Sequence, residues 1–131
     1  MSSVAGSCHC GAVSFEACFA DETIQTIKCN CSICRKTRFW MTVVPEDHFS
    51  LKTGADAVNS YRFGRRVIEH VSCQVCSVKI FGKTEINGVP SVAVSVPCLD
   101  LAPETLADLP VQFVDGLLDK PTEKPKITSY L

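Results

Sequence analysis

The sequence lacks the features that would assign it to several specialised classes of protein. No apolar run approaches the roughly 20 residues that a membrane-spanning helix needs, and residues 1–6 carry neither the basic nor the apolar segment of a secretion signal. Charge of one sign is not in excess either, because 13 Lys and Arg stand against 14 Asp and Glu. We therefore expect a cytoplasmic protein with no membrane partner and no nucleic-acid partner.

The chain has the size and composition of one globular domain. Its 131 residues are 46% hydrophobic and 21% charged, which is ordinary for a domain that buries a core. We expect a single domain over residues 1–131, in which residues 117–131, with Pro121 and Pro125, form an extended tail.

Helical patterns are scarce, and the periodicity is mostly that of β-strands. Helix is expected only over 103–109 and as a single turn over 32–36. Asn87-Gly88 predicts a tight turn between two strands. Alternating or β-branched runs predict strands over 13–18, 39–44, 58–63, 67–71 and 92–96. The pattern is typical of a small, mostly antiparallel β domain.

Cysteine is the residue in excess. Nine cysteines are an odd number, so they cannot all pair within the chain, and in a reducing compartment such a count indicates metal binding or catalysis. Cys18 and Cys98 stand alone. Cys18 is expected to pack as a small hydrophobic residue in the strand over 13–18, and Cys98 is expected in the core, with a place near a site as the alternative. The other seven form C-x-C, C-x-C-x-x-C and C-x-x-C motifs. We name them the outer cluster (Cys8, Cys10, Cys73 and Cys76) and the central cluster (Cys29, Cys31 and Cys34).

The spacing of these motifs favours two zinc sites. C-x-C on an extended segment places both sulfurs on one face, and C-x-x-C across a tight turn brings two thiolates to one ion. Four thiolates make a closed structural site, so we predict one at the outer cluster. Three leave a position open for a reactant, so we predict a reactive zinc at the central cluster. Alternatives remain open: the central cluster could share ligands with Cys73 and Cys76, leaving Cys8 and Cys10 free, or the chain could hold one zinc, disulfides or no metal.

The cysteine motifs lie within longer segments of distinctive sequence. These segments are GSCHCGAV at 6–13, CNCSICRK at 29–36, YRF at 61–63, His70 before CQVC at 73–76, VSVPCLD at 94–100 and DG at 115–116. In this order, over about residues 6–116, the chain resembles the glutathione-dependent formaldehyde-activating enzyme family. The chain departs from the family's usual pattern in three places. Ser77 replaces a glycine, Ser72 replaces an aromatic residue before the C-x-x-C motif, and Leu117-Leu118 stand where a tryptophan often follows.

The resemblance implies a β-tent fold with two zinc ions, structural at the outer cluster and reactive at the central cluster. It also implies a carbon–sulfur lyase, similar to S-(hydroxymethyl)glutathione synthase, that acts on glutathione and formaldehyde or a similar small aldehyde. The alternatives are a non-catalytic glutathione carrier and a zinc-stabilised interaction module.

The residues around the central cluster give further candidates. Arg35, Lys36 and Arg38 follow the cluster and are candidates for pairing with the carboxylates of glutathione, arginine best because it can do so bidentately. His70 and Asp100 are candidate general bases.

Overall fold

The computed structural model describes residues 1–20, 23–118 and 122–131, which form two β-sheets and two short helices. The strands are β1 (Ser2–Ser7), β2 (Ser14–Phe19), β3 (Thr26–Cys29), β4 (Trp40–Pro45), β5 (Phe49–Thr53), β6 (Val58–Tyr61), β7 (Glu69–Cys73), β8 (Lys79–Ile86), β9 (Val89–Ser95) and β10 (Val111–Val114). The helices are α1 (Ser32–Thr37) and α2 (Pro103–Asp108), and 3-10 turns span Glu46–His48 and Val96–Cys98. The predicted mostly β fold is confirmed. Neither helix in the described part of the chain is long or apolar enough to cross a membrane.

The strands pair in the orders β1-β2-β5 and β10-β3-β4-β9-β8-β7-β6. The predicted hairpin of β6 and β7 is present, and Asn87 and Gly88, with φ of 51° and 79°, turn the chain between β8 and β9. Such positive φ values match the twist of a two-residue hairpin turn. Among the described strands, all pairs are antiparallel except that of β10 with β3, which the strand patterns did not predict.

The three-stranded sheet packs on one face of the seven-stranded sheet. Alternation along β9 sends Val92 and Val94 into this core, where they meet Phe15 of β2 and Phe81 of β8. Cys98 also lies in the core, as predicted. Cys18 is half-buried on the opposite face of β2 and lies outside the core cluster. Among the described residues no second sheet covers the remaining face of the seven-stranded sheet, and the central cluster and the cavity beside it lie on that face.

The last part of the chain contacts the domain. The Asp115 N–H donates to the carbonyl oxygen of Glu123 at 2.9 Å, Pro125 is buried, and the Tyr130 ring lies 5.9 Å from the guanidinium carbon of Arg35. Residues 119–121 of the predicted extended tail, which include Pro121, lie outside the described residues.

Candidate metal centres and the adjoining cavity

The outer cluster joins two turns that are more than sixty residues apart in the sequence. Cys8 and Cys10 lie in the turn after β1, where the Cys8 N–H donates to the carbonyl oxygen of Val13 at 3.0 Å. Cys73 ends β7, and Cys76 lies in the turn that leads to β8. The expectation that the C-x-C motif lies on an extended segment is wrong, because β1 ends at Ser7 and the turn itself brings the two sulfurs together.

The geometry of the outer cluster fits a tetrahedral zinc ion. The Sγ atom of Cys10 lies 3.7 Å from that of Cys8 and 3.6 Å from that of Cys73, and all four sulfurs lie within 4.8 Å of one another. A zinc ion about 2.3 Å from each sulfur would separate the sulfurs by about 3.8 Å. Backbone hydrogen bonds at Cys10 and Val78 lower the pKa of the Cys76 thiol to about 6, which favours the thiolate that a metal requires.

Ser77 has the kind of backbone conformation for which glycine, the residue expected at this position, is the usual choice. Its φ is 66°, in the left-handed region that favours glycine. The Ser77 N–H donates to the carbonyl oxygen of Cys73 at 2.9 Å and closes the C-x-x-C turn. The serine therefore keeps the turn of the outer cluster in spite of the side chain.

The central cluster lies where β3 ends and α1 begins. Cys29 is the last residue of β3, Cys31 precedes the first turn of α1, and Cys34 is buried within α1. Their sulfurs lie within 4.8 Å of one another, so three ligands could hold one metal ion. Hydrogen bonds with the thiols of Cys29 and Cys34 lower the pKa of Cys31 to about 2, and hydrogen bonds with Cys29 and Cys31 raise that of Cys34. The lowered pKa of Cys31 favours its thiolate, which is the form in which a cysteine binds a metal ion.

The segment after β10 holds the central cluster from the other side. The Asn30 side-chain amide N–H donates to the buried Asp115 carboxylate at 3.1 Å, and the Leu117 N–H donates to the side-chain oxygen Oδ1 of Asn30 at 2.9 Å. Gly116 lies against the cluster. From the sequence, Asp115-Gly116 was only a segment that matches the family and Asn30 had no predicted role, although its place between two ligands was a usable signal.

Replacing Gly116 with alanine is expected to weaken metal binding at the central cluster at least about tenfold. A Cβ at this position would lie 2.5 Å from the Cys29 sulfur and 3.0 Å from the Cys31 Cβ, so the ligands would have to move. Competition with a chromophoric chelator measures the affinity, with Leu117→Ala as the control because Leu117 is exposed beside it. Unchanged affinity in Gly116→Ala would contradict the packing described here.

An open cavity of about 330 Å³ lies beside the central cluster on the free face of the seven-stranded sheet. Cys29 and Cys34 lie at one end, together with Phe39, His70 and Lys79. Most of the remaining wall is apolar. It is formed by Ile27, Met41, Val43, Ile86, Ala93 and Val114. This size is at the lower end of the range of small-molecule sites.

His70 and Lys79 form a polar pair in this wall. The Lys79 Nζ lies 3.0 Å from His70 Nδ1 and 4.0 Å from the centroid of the Phe39 ring. Burial and the adjacent Lys79 charge lower the pKa of His70, and burial lowers that of Lys79. An ammonium group can only donate, so the neutral ring carries its proton on Nε2. That atom is buried and has no hydrogen-bond partner among the described residues.

The basic residues predicted to bind carboxylates lie elsewhere. Arg35, Lys36 and Arg38 are exposed on and just after α1, where they line a shallow hollow with Tyr130 rather than the cavity. Asp100, the second candidate base, is exposed and does not line the cavity either.

Fold and site together define a cysteine-rich β domain with two candidate metal centres, one of them open to a cavity. A family model described as glutathione-dependent formaldehyde-activating enzyme matches residues 3–115. The chain therefore belongs to this family. It is also similar to the crystal structure of a Rhodobacter sphaeroides protein determined as a structural genomics target, with a TM-score of 0.71 and 27% sequence identity over 82% of this chain and 99% of the other.

Proposed function

We propose that the protein is a zinc-dependent carbon–sulfur lyase that joins glutathione, or a similar small thiol, to formaldehyde or another small aldehyde, and that cleaves the adduct in reverse. The observation that carries the proposal is the central cluster, which gathers three thiol ligands beside an open cavity in a chain of this family. One zinc ion in each cluster is part of the proposal. When bound at the central cluster, zinc supplies an open coordination position that lowers the pKa of a thiol.

In the proposed reaction, residues of the cavity supply the proton that the aldehyde oxygen receives. Addition forms a bond between the thiol sulfur and the carbonyl carbon, moves the carbonyl electron pair onto oxygen, and transfers the thiol proton to that oxygen. In our proposal the Nε2 proton of His70 passes to the oxygen while the ammonium group of Lys79, 3.0 Å from Nδ1, gives a proton to the ring. The proton released by the thiol then returns to this pair through solvent, so that one proton leaves the thiol and one reaches the oxygen. Cleavage of the adduct reverses these transfers.

The apolar wall has a complementary role. It keeps water away from the reacting carbon, because the cavity is lined mainly by side chains that cannot hydrogen-bond. Excluding water strengthens the hydrogen bond from His70 to a developing oxyanion. Arg35, Lys36 and Arg38 remain the proposed partners for substrate carboxylates outside the cavity.

Exchange NMR of a glutathione and formaldehyde mixture tests catalysis directly. At substoichiometric protein, we expect the exchange rate between free and adduct forms to rise linearly with protein while the equilibrium adduct fraction stays constant. The rate without protein is the baseline, since the two compounds also react unaided. Exchange at the baseline rate, with adduct bound in proportion to protein, would instead identify a carrier.

The same measurement tests the role of His70. We expect His70→Gln to lower the catalysed rate at least about tenfold, because glutamine cannot relay the proton. Zinc content should remain at the wild-type value. His48→Gln is the matched control, since His48 is half-buried beside Asp47 and does not line the cavity. Equal rates in wild type and His70→Gln would remove His70 from the mechanism.

A further inference from the structure

The cavity is larger and more apolar than a one-carbon aldehyde needs. Resting on the proposed function, we infer that the preferred aldehyde component carries an aliphatic or aromatic chain of several carbons. This chain lies on the free face of the seven-stranded sheet, with the reacting carbon at the central cluster. Formaldehyde would leave most of the roughly 330 Å³ empty.

The depth of the cavity comes from two small residues on neighbouring strands. Gly82 of β8 and Ala93 of β9 are direct partners in the sheet, and Val43 of β4 is the partner of Ala93 on its other side. All three residues line the cavity. Small side chains at adjacent positions leave a hollow where larger ones would fill the surface of the sheet.

The backbone does not require glycine at residue 82. Its φ lies outside the left-handed region, and a Cβ there would come no closer than 3.4 Å to any neighbour, which is ordinary contact. A glycine in the middle of a strand weakens the sheet, because it has no side chain to pack. The fold therefore does not account for the hollow above Gly82. Because Gly82 lines the cavity, we assign the hollow to ligand binding.

The few charged groups of the cavity favour binding of the aldehyde's apolar chain there rather than binding of the charged glutathione part of the adduct. Lys79 is the one cation among the described lining residues, and no carboxylate is among them. Glutathione carries two carboxylates and one ammonium group, so burying it here would leave charges unpaired, which is costly. An alkyl or aryl chain meets Met41, Val43, Ala93 and Ile86 without such a cost.

Binding of stable adduct mimics tests this inference without any reaction. S-methylglutathione represents the formaldehyde adduct, and S-hexylglutathione represents the adduct of a longer aldehyde. Each buried methylene improves affinity about fourfold, so we expect S-hexylglutathione to bind at least about 30-fold more tightly in calorimetry. Ala93→Leu should reduce that gain at least about tenfold, and Gly82→Ala should reduce it less, with S-methylglutathione affinity unchanged in both.

The control is Ala107→Leu, which makes the same change on the exposed side of α2. Zinc content and melting temperature of each variant show that it is folded.

Binding of S-methylglutathione with no gain from the longer chain would overturn this inference and leave the proposed function standing. A gain that Ala93→Leu and Gly82→Ala do not reduce would place the chain elsewhere and also overturn it. Failure of both mimics to bind, with catalysed exchange intact, would reject the cavity as the adduct site. Loss of catalysed exchange in wild type would count against the proposed function instead.

Discussion

Cys10→Ser is expected to remove one zinc ion per chain and to lower the free energy of unfolding by at least about 3 kcal/mol. The outer cluster ties the turn after β1 to the turn after β7, and closing so long a loop contributes stability, as does the metal bond itself. A loss of this size corresponds to a fall in melting temperature of at least about 10 °C. Elemental analysis and thermal unfolding measure the two effects.

The position of Cys10 makes this test selective. The side chain is exposed, so replacing it with serine would change stability by less than about 0.5 kcal/mol if it held no metal. Cys18→Ser is the matched control, because Cys18 is half-buried and lies outside both clusters. We expect the control to keep its zinc and to lose less than about 1 kcal/mol. A Cys10→Ser protein as stable as this control would show that the outer cluster is not a structural metal site.

Cys31→Ser is expected to have the opposite profile, with a large loss of activity and a small loss of stability. Zinc should fall by one ion per chain, and the rate of thiol–aldehyde exchange should fall at least about 100-fold, because the thiol loses the site at which its pKa is lowered. The central cluster spans only residues 29–34, so a metal there closes a short loop and restrains the unfolded chain little. We expect the melting temperature to change by less than about 3 °C.

The comparison of the two variants separates structural from reactive metal. Ser32→Ala is the control for Cys31→Ser, since Ser32 is the exposed first residue of α1 and its substitution leaves every cysteine in place. If Cys31→Ser were destabilised as strongly as Cys10→Ser, the central cluster would also be structural. The proposed catalytic role would then lose its support.

The short-range features of the molecule could be predicted because they depend on neighbouring residues. Asn87-Gly88 adopts the positive φ values that its turn needs, and the short helix at Ser32–Thr37 covers the helical turn predicted over 32–36. Alternation within each strand indicated a mostly β domain. The C-x-C motif at Cys8 and Cys10 was misjudged, because extended geometry and a tight turn both bring alternate sulfurs together, and the spacing does not distinguish them.

The features that unite distant segments required the tertiary structure. The parallel pairing of β10 with β3 brings Gly116 against Cys29, across more than eighty residues of chain. Sheet register likewise places Gly82 beside Ala93, and packing sets His70 against Lys79. The basic residues after the central cluster are close to it in sequence, yet α1 turns them to the surface.

The sequence by itself determined what kinds of ligand are present and how they group locally, because short cysteine spacings restrict where neighbouring sulfurs can lie. It left open which motifs share a site. Only the tertiary structure decided that Cys8 and Cys10 meet Cys73 and Cys76 while the central cluster stands apart beside a cavity. The physical reason is that a strand pattern specifies which face is buried, whereas the strands that become neighbours are selected by the packing of the whole chain.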